Sequence, residues 1–280
     1  MLRPHQWVKN LFVLAPAVFA KELLIREVVE RALGAFVAFC CAASAVYILN
    51  DLVDRRADRV HPIKRTRPIA SGAVKPALAI SIGVGLMACS LGIAVALDTA
   101  LLLYTVAYLV LNIAYSVRLK KVAYLDALCI ATGFELRVLA GAAAVEVRPS
   151  MYLLLVTFIL ALFLAIGKRA HELEQGKKAL QQRQSLRGYD PSVVRGWLYV
   201  TAGATVFVYA AYALDPSTQL FFQTRYLYLT TFFVAFGVVR FIVLIRHKNT
   251  ADSPTEKMLT DIPFIANVAL WCAAIFLLIY

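Results

Sequence analysis

Residues 31 to 49 read Arg31-Ala32-Leu33-Gly34-Ala35-Phe36-Val37-Ala38-Phe39-Cys40-Cys41-Ala42-Ala43-Ser44-Ala45-Val46-Tyr47-Ile48-Leu49, and the next nine residues, Asn50-Asp51-Leu52-Val53-Asp54-Arg55-Arg56-Ala57-Asp58, turn abruptly polar. A helix needs about 20 mostly apolar residues to cross a bilayer, and the first stretch supplies them. The acids mark where that helix would leave the hydrocarbon. Working outward, comparable runs recur at 77 to 97, 100 to 116, 123 to 145, 151 to 167, 192 to 214, 226 to 245 and 262 to 280. A ninth, 8 to 24, is interrupted by Pro16 and flanked by Lys9 and Lys21, so it reads as a span or as an interfacial or re-entrant helix. The expected fold is all-α, a polytopic membrane bundle of nine transmembrane helices forming one domain over residues 1–280.

Composition agrees. Of the 280 residues 61% are hydrophobic and 16% charged, and the mean hydropathy is +0.72. Soluble domains are roughly 45–50% apolar and about 25% charged, which excludes an ordinary soluble core. A formal charge of +12 would suggest nucleic acid in a soluble chain, but here its distribution decides otherwise. With the amino terminus inside, 21 of the 29 Lys and Arg fall before the first span and in segments 50 to 76, 117 to 121, 168 to 191 and 246 to 261, against 5 on the opposite side. This is the positive-inside pattern, and it predicts an odd number of spans, a cytoplasmic amino terminus and no nucleic-acid partner. The first apolar stretch lacks a small-residue cleavage pattern, so no secretory signal is expected. The five cysteines all fall in apolar runs without metal-site spacing, and read as small core residues.

The chemistry concentrates at the cytoplasmic ends. Asn50, Asp54 and Asp58 recur at i, i+4 and i+8, and Asp51 lies seven residues before Asp58, so all four share one helix face. Such a row is either a solvated helix end with i, i+4 pairing or a set of hard oxygen ligands for Mg²⁺, which prefers a few carboxylates plus water and substrate phosphates. Four crowded oxygen side chains repel one another unless a cation sits among them, which favours the metal. Just beyond, His61-Pro62-Ile63-Lys64-Arg65-Thr66-Arg67-Pro68 holds Lys64, Arg65 and Arg67 between two prolines. It reads as positive-inside signal or, beside a metal row, as the rest of a diphosphate cradle.

Three further clusters follow. Asp126, Gly133 and Arg137 line one stripe of the fifth span, and an arginine so deep in a membrane helix is a site candidate by default. Glu135 points elsewhere and could pair across helices, for instance with Arg240. Lys168-Arg169-Ala170-His171-Glu172 closes the sixth span, and Arg3-Pro4-His5-Gln6-Trp7-Val8-Lys9-Asn10 precedes the first. Arg3, Lys9 and Asn10 add phosphate-binding capacity if they fold inward. His5, His61, His171 and His247 each have an unremarkable loop reading, so no catalytic histidine is expected.

The row Asn-Asp-x-x-Asp-x-x-x-Asp at 50 to 58 followed by His-Pro-x-Lys-Arg-x-Arg-Pro-Ile at 61 to 69 resembles the UbiA superfamily of intramembrane prenyltransferases. Within it, Arg3-Pro-x-Gln-Trp-x-Lys-Asn10, Tyr115-Ser-x-x-Leu-Lys120 with Asp126, and Lys168-Arg-x-x-Glu172 resemble the branch that moves 5-phosphoribose from phosphoribosyl diphosphate to a polyprenyl phosphate such as decaprenyl phosphate. The resemblance implies one or two Mg²⁺ on Asn50, Asp51, Asp54 and Asp58, with Asp54, Asp58 and Asp126 catalytic. It also implies that Lys9, Asn10, Lys64, Arg65, Arg67, Tyr115, Lys120, Arg137, Lys168, Arg169 and Glu172 bind substrate. The chain departs from the wider family where a second Asp-x-x-x-Asp pair would stand, since Asp126 is followed at i+4 by Ile130. That argues against a two-site clamp on a prenyl diphosphate. An aromatic prenyltransferase and a transporter using the charged cavity without chemistry remain the alternatives.

Overall fold

The computed structural model describes residues 1–60, 64–175, 184–246 and 254–280. Every described element is helical, and eight helices are long and apolar enough to cross a membrane. We label them α1 (Arg26–Val53), α2 (Pro76–Leu97), α3 (Thr99–Val117), α4 (Leu125–Ala144), α5 (Met151–Glu174), α6 (Pro191–Leu214), α7 (Thr231–Ile245, entered through the 3₁₀ turn Tyr226–Thr230) and α8 (Ile262–Ile279). Polar side chains start several of them. Asp98, Ser150, Asp190 and Asp261 accept backbone N–H bonds at the amino ends of α3, α5, α6 and α8, satisfying donors that have no partner within the helix.

The chain divides into two compact units. The first comprises Met1–Lys120 and Thr132–Pro149, and the second Lys121–Ala131 and Ser150–Tyr280. In the first unit α1 is central, with 61% of its most apolar window buried. Its alanine-rich face, including Ala35, Ala42 and Phe39, packs with Leu101 and Tyr108 of α3 and Ala140 of α4. Gly34 packs closely there, since a Cβ would lie 2.9 Å from Leu97 Cδ1 and the leucine tip would have to move. At this end Arg31 bonds the carbonyls of Ala144 (2.6 Å) and Leu97 (3.4 Å), closing the carboxyl ends of two other helices. In the second unit Phe163, Phe241, Leu198 and Leu186 form the core. The outer faces carry Leu103, Val110, Phe207, Phe232 and Leu277 exposed, as a hydrocarbon solvent requires.

The ninth apolar stretch, 8 to 24, is not a long helix. It is a 3₁₀ segment, Pro4–Val13, followed by the short helix Ala15–Phe19. Pro4 and Pro16 offer no N–H, and the side chain of Asn10 is fully buried, so a continuous apolar α-helix does not form. The segment nonetheless runs antiparallel to α1 along most of its length: Arg3 meets Asp51, Trp7 donates to Ser44 (3.1 Å), Asn10 to Cys40 (3.4 Å), and Ala17 packs on Ala32. From 51 to 32 α1 rises about 28 Å, the thickness of a hydrocarbon core. A 3₁₀ segment gains about 2.0 Å per residue, so fewer residues cover the same path. Gly141 makes this possible, since a Cβ there would fall 1.9 Å from the carbonyl oxygen of Val13.

Other boundaries shift. The segment 168 to 191 begins as helix, because α5 continues to Glu174 and carries Lys168, Arg169 and Glu172 on it; residues 176–183 lie outside the described ones. Cys40 and Cys129 are buried as expected, whereas Cys89 and Cys272 are exposed.

Candidate active site at the end of α1

The acid row spans a break in the helix. Asp54 is the carboxyl cap of α1 and Arg55–Val60 is a separate short helix. Helical spacing survives, because Asp54 N bonds Asn50 O (2.9 Å) and Asp58 N bonds Asp54 O (2.8 Å). The row therefore sorts by its periodicity. Asn50 and Asp54, one turn apart, share Lys120: its Nζ lies 3.0 Å from Asn50 Oδ1 and 2.7 and 2.8 Å from the two Asp54 oxygens. Asp51 and Asp58, two turns apart, share Arg67, at 3.3 and 2.7 Å. Arg3 adds a third cation, 2.5 Å from Asp51 Oδ1 and stacked 5.0 Å over the Tyr47 ring. Arg3 adopts φ 53° to reach it, a left-handed conformation that a non-glycine residue holds only when its surroundings fix it. Lys120 arrives on the 3₁₀ turn Leu119–Lys121 after α3, and Arg67 as the residue preceding the short helix Pro68–Ser71. Lys64 and Arg65 stand on the turn Lys64–Thr66, half-buried and exposed respectively. His61-Pro62-Ile63 and His247 lie outside the described residues.

A second cluster in the same unit surrounds Arg137. Its guanidinium donates to Asn10 Oδ1 (2.9 Å), Gly133 O (2.8 Å) and the Tyr108 hydroxyl (2.9 Å), and lies 4.7 Å from the Tyr108 ring centre. Each of its three nitrogens thus donates to a neutral group. Asn10, which the resemblance implies as a substrate contact, is part of this cage. Arg240 binds Asp261 through two bonds of 3.0 and 2.7 Å. Tyr108 was not anticipated, although Tyr108, Asn112 and Tyr115 form a polar stripe at i, i+4 and i+7 of a membrane helix.

In the second unit Asp126 is wholly enclosed. Arg169 Nε lies 3.1 Å from its Oδ2, the Ser185 hydroxyl donates to it at 3.2 Å, and the Tyr189 hydroxyl donates to its Oδ1. Arg169, only 1% exposed, also binds Glu172. Burial first, and the bond to Asp126 second, push the Tyr189 phenol above its ordinary pKa, so it stays a neutral donor. Nothing periodic in the sequence announces Ser185 or Tyr189, which lie near the end of the polar segment 168 to 191. Lys9, Tyr115 and Lys168 are half-buried. His171 is a residue of α5 rather than of a loop, with Nδ1 3.0 Å from Ile245 O.

The matching family is the UbiA prenyltransferase family, over residues 11–278. The chain belongs to that family. Among its relatives, decaprenyl-phosphate phosphoribosyltransferase of Mycolicibacterium smegmatis is 38% identical over 219 residues, covering 76% of this chain and 69% of the relative. The enzyme of the same name from Corynebacterium glutamicum is 38% identical over 222 residues, covering 77% and 67%. A solved UbiA homolog from Archaeoglobus fulgidus bound to DMAPP and Mg²⁺ superposes with a TM-score of 0.75 at 21% identity, covering all of this chain and 97% of that one. That likeness establishes the fold.

The acid row of this UbiA family member fits a divalent metal in charge and donor type. Among the described residues no three His, Cys, Asp or Glu side chains stand grouped as a finished metal site, because Lys120, Arg67 and Arg3 hold the carboxylates in cation-bridged sets. Asp51 Oδ2 is nevertheless buried with no hydrogen bond, an orphan that a hard cation would satisfy.

Proposed function

We propose that this protein transfers 5-phosphoribose from phosphoribosyl diphosphate to a polyprenyl phosphate, giving polyprenylphosphoryl-5-phosphoribose and diphosphate. The observation that carries the reading is the convergence of four oxygen side chains and three cations at the end of α1. The named activity of relatives 37–38% identical over most of the chain supports it. Asn50, Asp51, Asp54 and Asp58 would hold magnesium, which when bound neutralises charge on the departing diphosphate. Lys64, Arg65, Arg67 and Lys120 take phosphate oxygens, so leaving-group charge is met by fixed cations as the bond from the sugar C1 to diphosphate breaks. The acceptor is already an anion at neutral pH. A phosphate oxygen of the lipid therefore bonds to C1 without a general base, which suits a site to which no histidine contributes among the described residues. Asp126 we assign to fixing Arg169 and Tyr189 rather than to touching substrate, given its closure on every side. Residues 1–280 act as one transferase domain of the inner membrane, with the amino terminus and the acid row on the cytoplasmic side.

The test is mass spectrometry of lipid products after membranes containing the protein receive both donor types. Labelled phosphoribosyl diphosphate should enter a lipid fraction. A product formed only from a prenyl diphosphate and an aromatic acid would replace this reading with aromatic prenylation. Uptake into proteoliposomes without covalent product would replace it with transport.

A further inference from the structure

Lys120 fills its socket completely. An ammonium has three N–H donors and no acceptor, and the three oxygens around Lys120 Nζ, one from Asn50 and two from Asp54, stand at 3.0, 2.7 and 2.8 Å. The lone pairs that bind the ammonium are those a metal on Asn50 and Asp54 would need. A divalent ion and an ammonium cannot share them, since two like charges would be within a few ångström of each other in a partly dehydrated pocket. The pair is not locked: the side chains of Lys120 and Asp54 are 18% and 31% exposed, and lysine is a point charge on a flexible stem rather than a fixed fork. Arg67, by contrast, holds Asp51 and Asp58 at once.

We infer that Lys120 is an exchangeable occupant of the metal position, held by Asn50 and Asp54 until a diphosphate draws it onto a phosphate oxygen. The inference deepens the proposed function and rests on its reading of the acid row as the metal site. Metal and diphosphate then bind together: each removes an obstacle to the other, and the coupling is reciprocal. Without a phosphate ligand the metal must displace Lys120 unaided and binds poorly. Lys120 is in this sense a positioning residue for the metal as well as a phosphate contact.

The test uses the full chain in a phosphate-free detergent, with Mn²⁺ as the probe and free Mn²⁺ read by electron paramagnetic resonance. Without phosphate, Lys120→Met should tighten Mn²⁺ binding at least tenfold over wild type. Lys75→Met, which removes an exposed cation outside the site, should change it less than threefold. Labelled inorganic diphosphate, measured with saturating Mg²⁺, should bind at least tenfold more weakly to Lys120→Met. Opposite signs for the two ligands are what a merely structural role would not give, and Lys120→Gln should repeat them if the Met variant is poorly folded. Mn²⁺ affinity no tighter in Lys120→Met than in Lys75→Met, or unchanged diphosphate binding, overturns the exchange. Separately, Asp54→Asn added to Lys120→Met should abolish the gained affinity; if it does not, the metal lies elsewhere and the reading of the acid row falls.

Discussion

Asp54 and Asp126 are both carboxylates paired to a cation, yet the two pairs are built for different ends. Asp54 with Lys120 is 31% and 18% exposed, while Asp126 with Arg169 is 0% and 1% exposed. A buried pair with every other oxygen satisfied is costly to open, because the stranded charge has neither water nor partner. A half-exposed pair can trade its cation for another at small cost. Between these two pairs exposure, more than residue type, separates an exchangeable contact from a structural joint, while the buried Asp51 and Asp58 share the partly exposed Arg67. The missing acid at position 130 belongs to the same contrast: Ile130 packs against the apolar core of the second unit, where a second carboxylate would have had to be solvated or paired.

The comparison breaks most readily at the acid row. Excess chelator should abolish phosphoribosyl transfer and added Mg²⁺ restore it, since diphosphate leaving a dry site needs its charge neutralised. Full activity in chelator would end the metal reading. Asp54→Asn and Asp58→Asn should each lower turnover by about 10²-fold or more, with the protein still inserted and monodisperse by size exclusion. Near-normal turnover in both would reduce the row to a solvated helix end.

At Asp126 the order of effects reverses, with stability lost before chemistry. Arg169→Met should destabilise by about 3–5 kcal/mol because it strands the buried Asp126, and a thermal-shift measurement reads this directly. Adding Asp126→Asn should recover much of the loss, since the uncompensated charge is then gone. If Arg169→Met melts like wild type but is inactive, Arg169 contacts substrate and the joint reading is wrong.

Much of this architecture was legible in the sequence, for physical reasons that differ by element. Eight apolar runs announce α1 to α8 because hydrocarbon tolerates little else, whereas the row at 50, 51, 54 and 58 reads in the sequence as one shared face and its division between Lys120 and Arg67 depends on loops whose path no periodicity reports. The stretch 8 to 24 was ambiguous because a 3₁₀ segment against α1 needs the same apolar composition as a helix, and what sets it apart is Pro4, Pro16 and a glycine more than a hundred residues away. Enclosure of Asp126 was not legible at all, since its partners Ser185 and Tyr189 sit about sixty residues downstream in no periodic pattern. Asn10 reads as phosphate-binding capacity if the amino-terminal stretch folds inward; it does fold inward, and there it accepts from the deep cation of Arg137, a partner that sequence spacing does not report. Gly141→Ala sharpens this point. A Cβ meeting the Val13 carbonyl should displace the 3₁₀ segment and cost about 1–3 kcal/mol as overpacking, with faster proteolysis of the amino-terminal residues as the readout; an unchanged digestion pattern would mean the segment is not held where α1 places it.

The smallest effect is expected at a third kind of carboxylate. Asp261 meets Arg240 in a two-bonded pair and also accepts the Phe264 N–H at the start of α8 (2.9 Å). The bond to Arg240, more than the cap, holds its pKa below the ordinary Asp value. A carboxylate depressed on folding stabilises the protein above its unfolded pKa near 3.8, and the contribution fades as pH falls through the folded value. Two substitutions divide its roles. Asp261→Asn keeps a good cap and loses only the ion pair, so its melting temperature near neutral pH should stay close to wild type. Asp261→Ala loses the cap as well and should cost about 1 kcal/mol. The difference between wild type and Asp261→Asn should persist down to pH 3.8 and shrink toward zero only as pH falls further, through the lower folded value at which the wild-type side chain becomes neutral too. A large loss in Asp261→Asn at neutral pH would place this pair with the buried joint of Asp126 and Arg169, and the rule that exposure sets the worth of each ion pair here would fail at its simplest case.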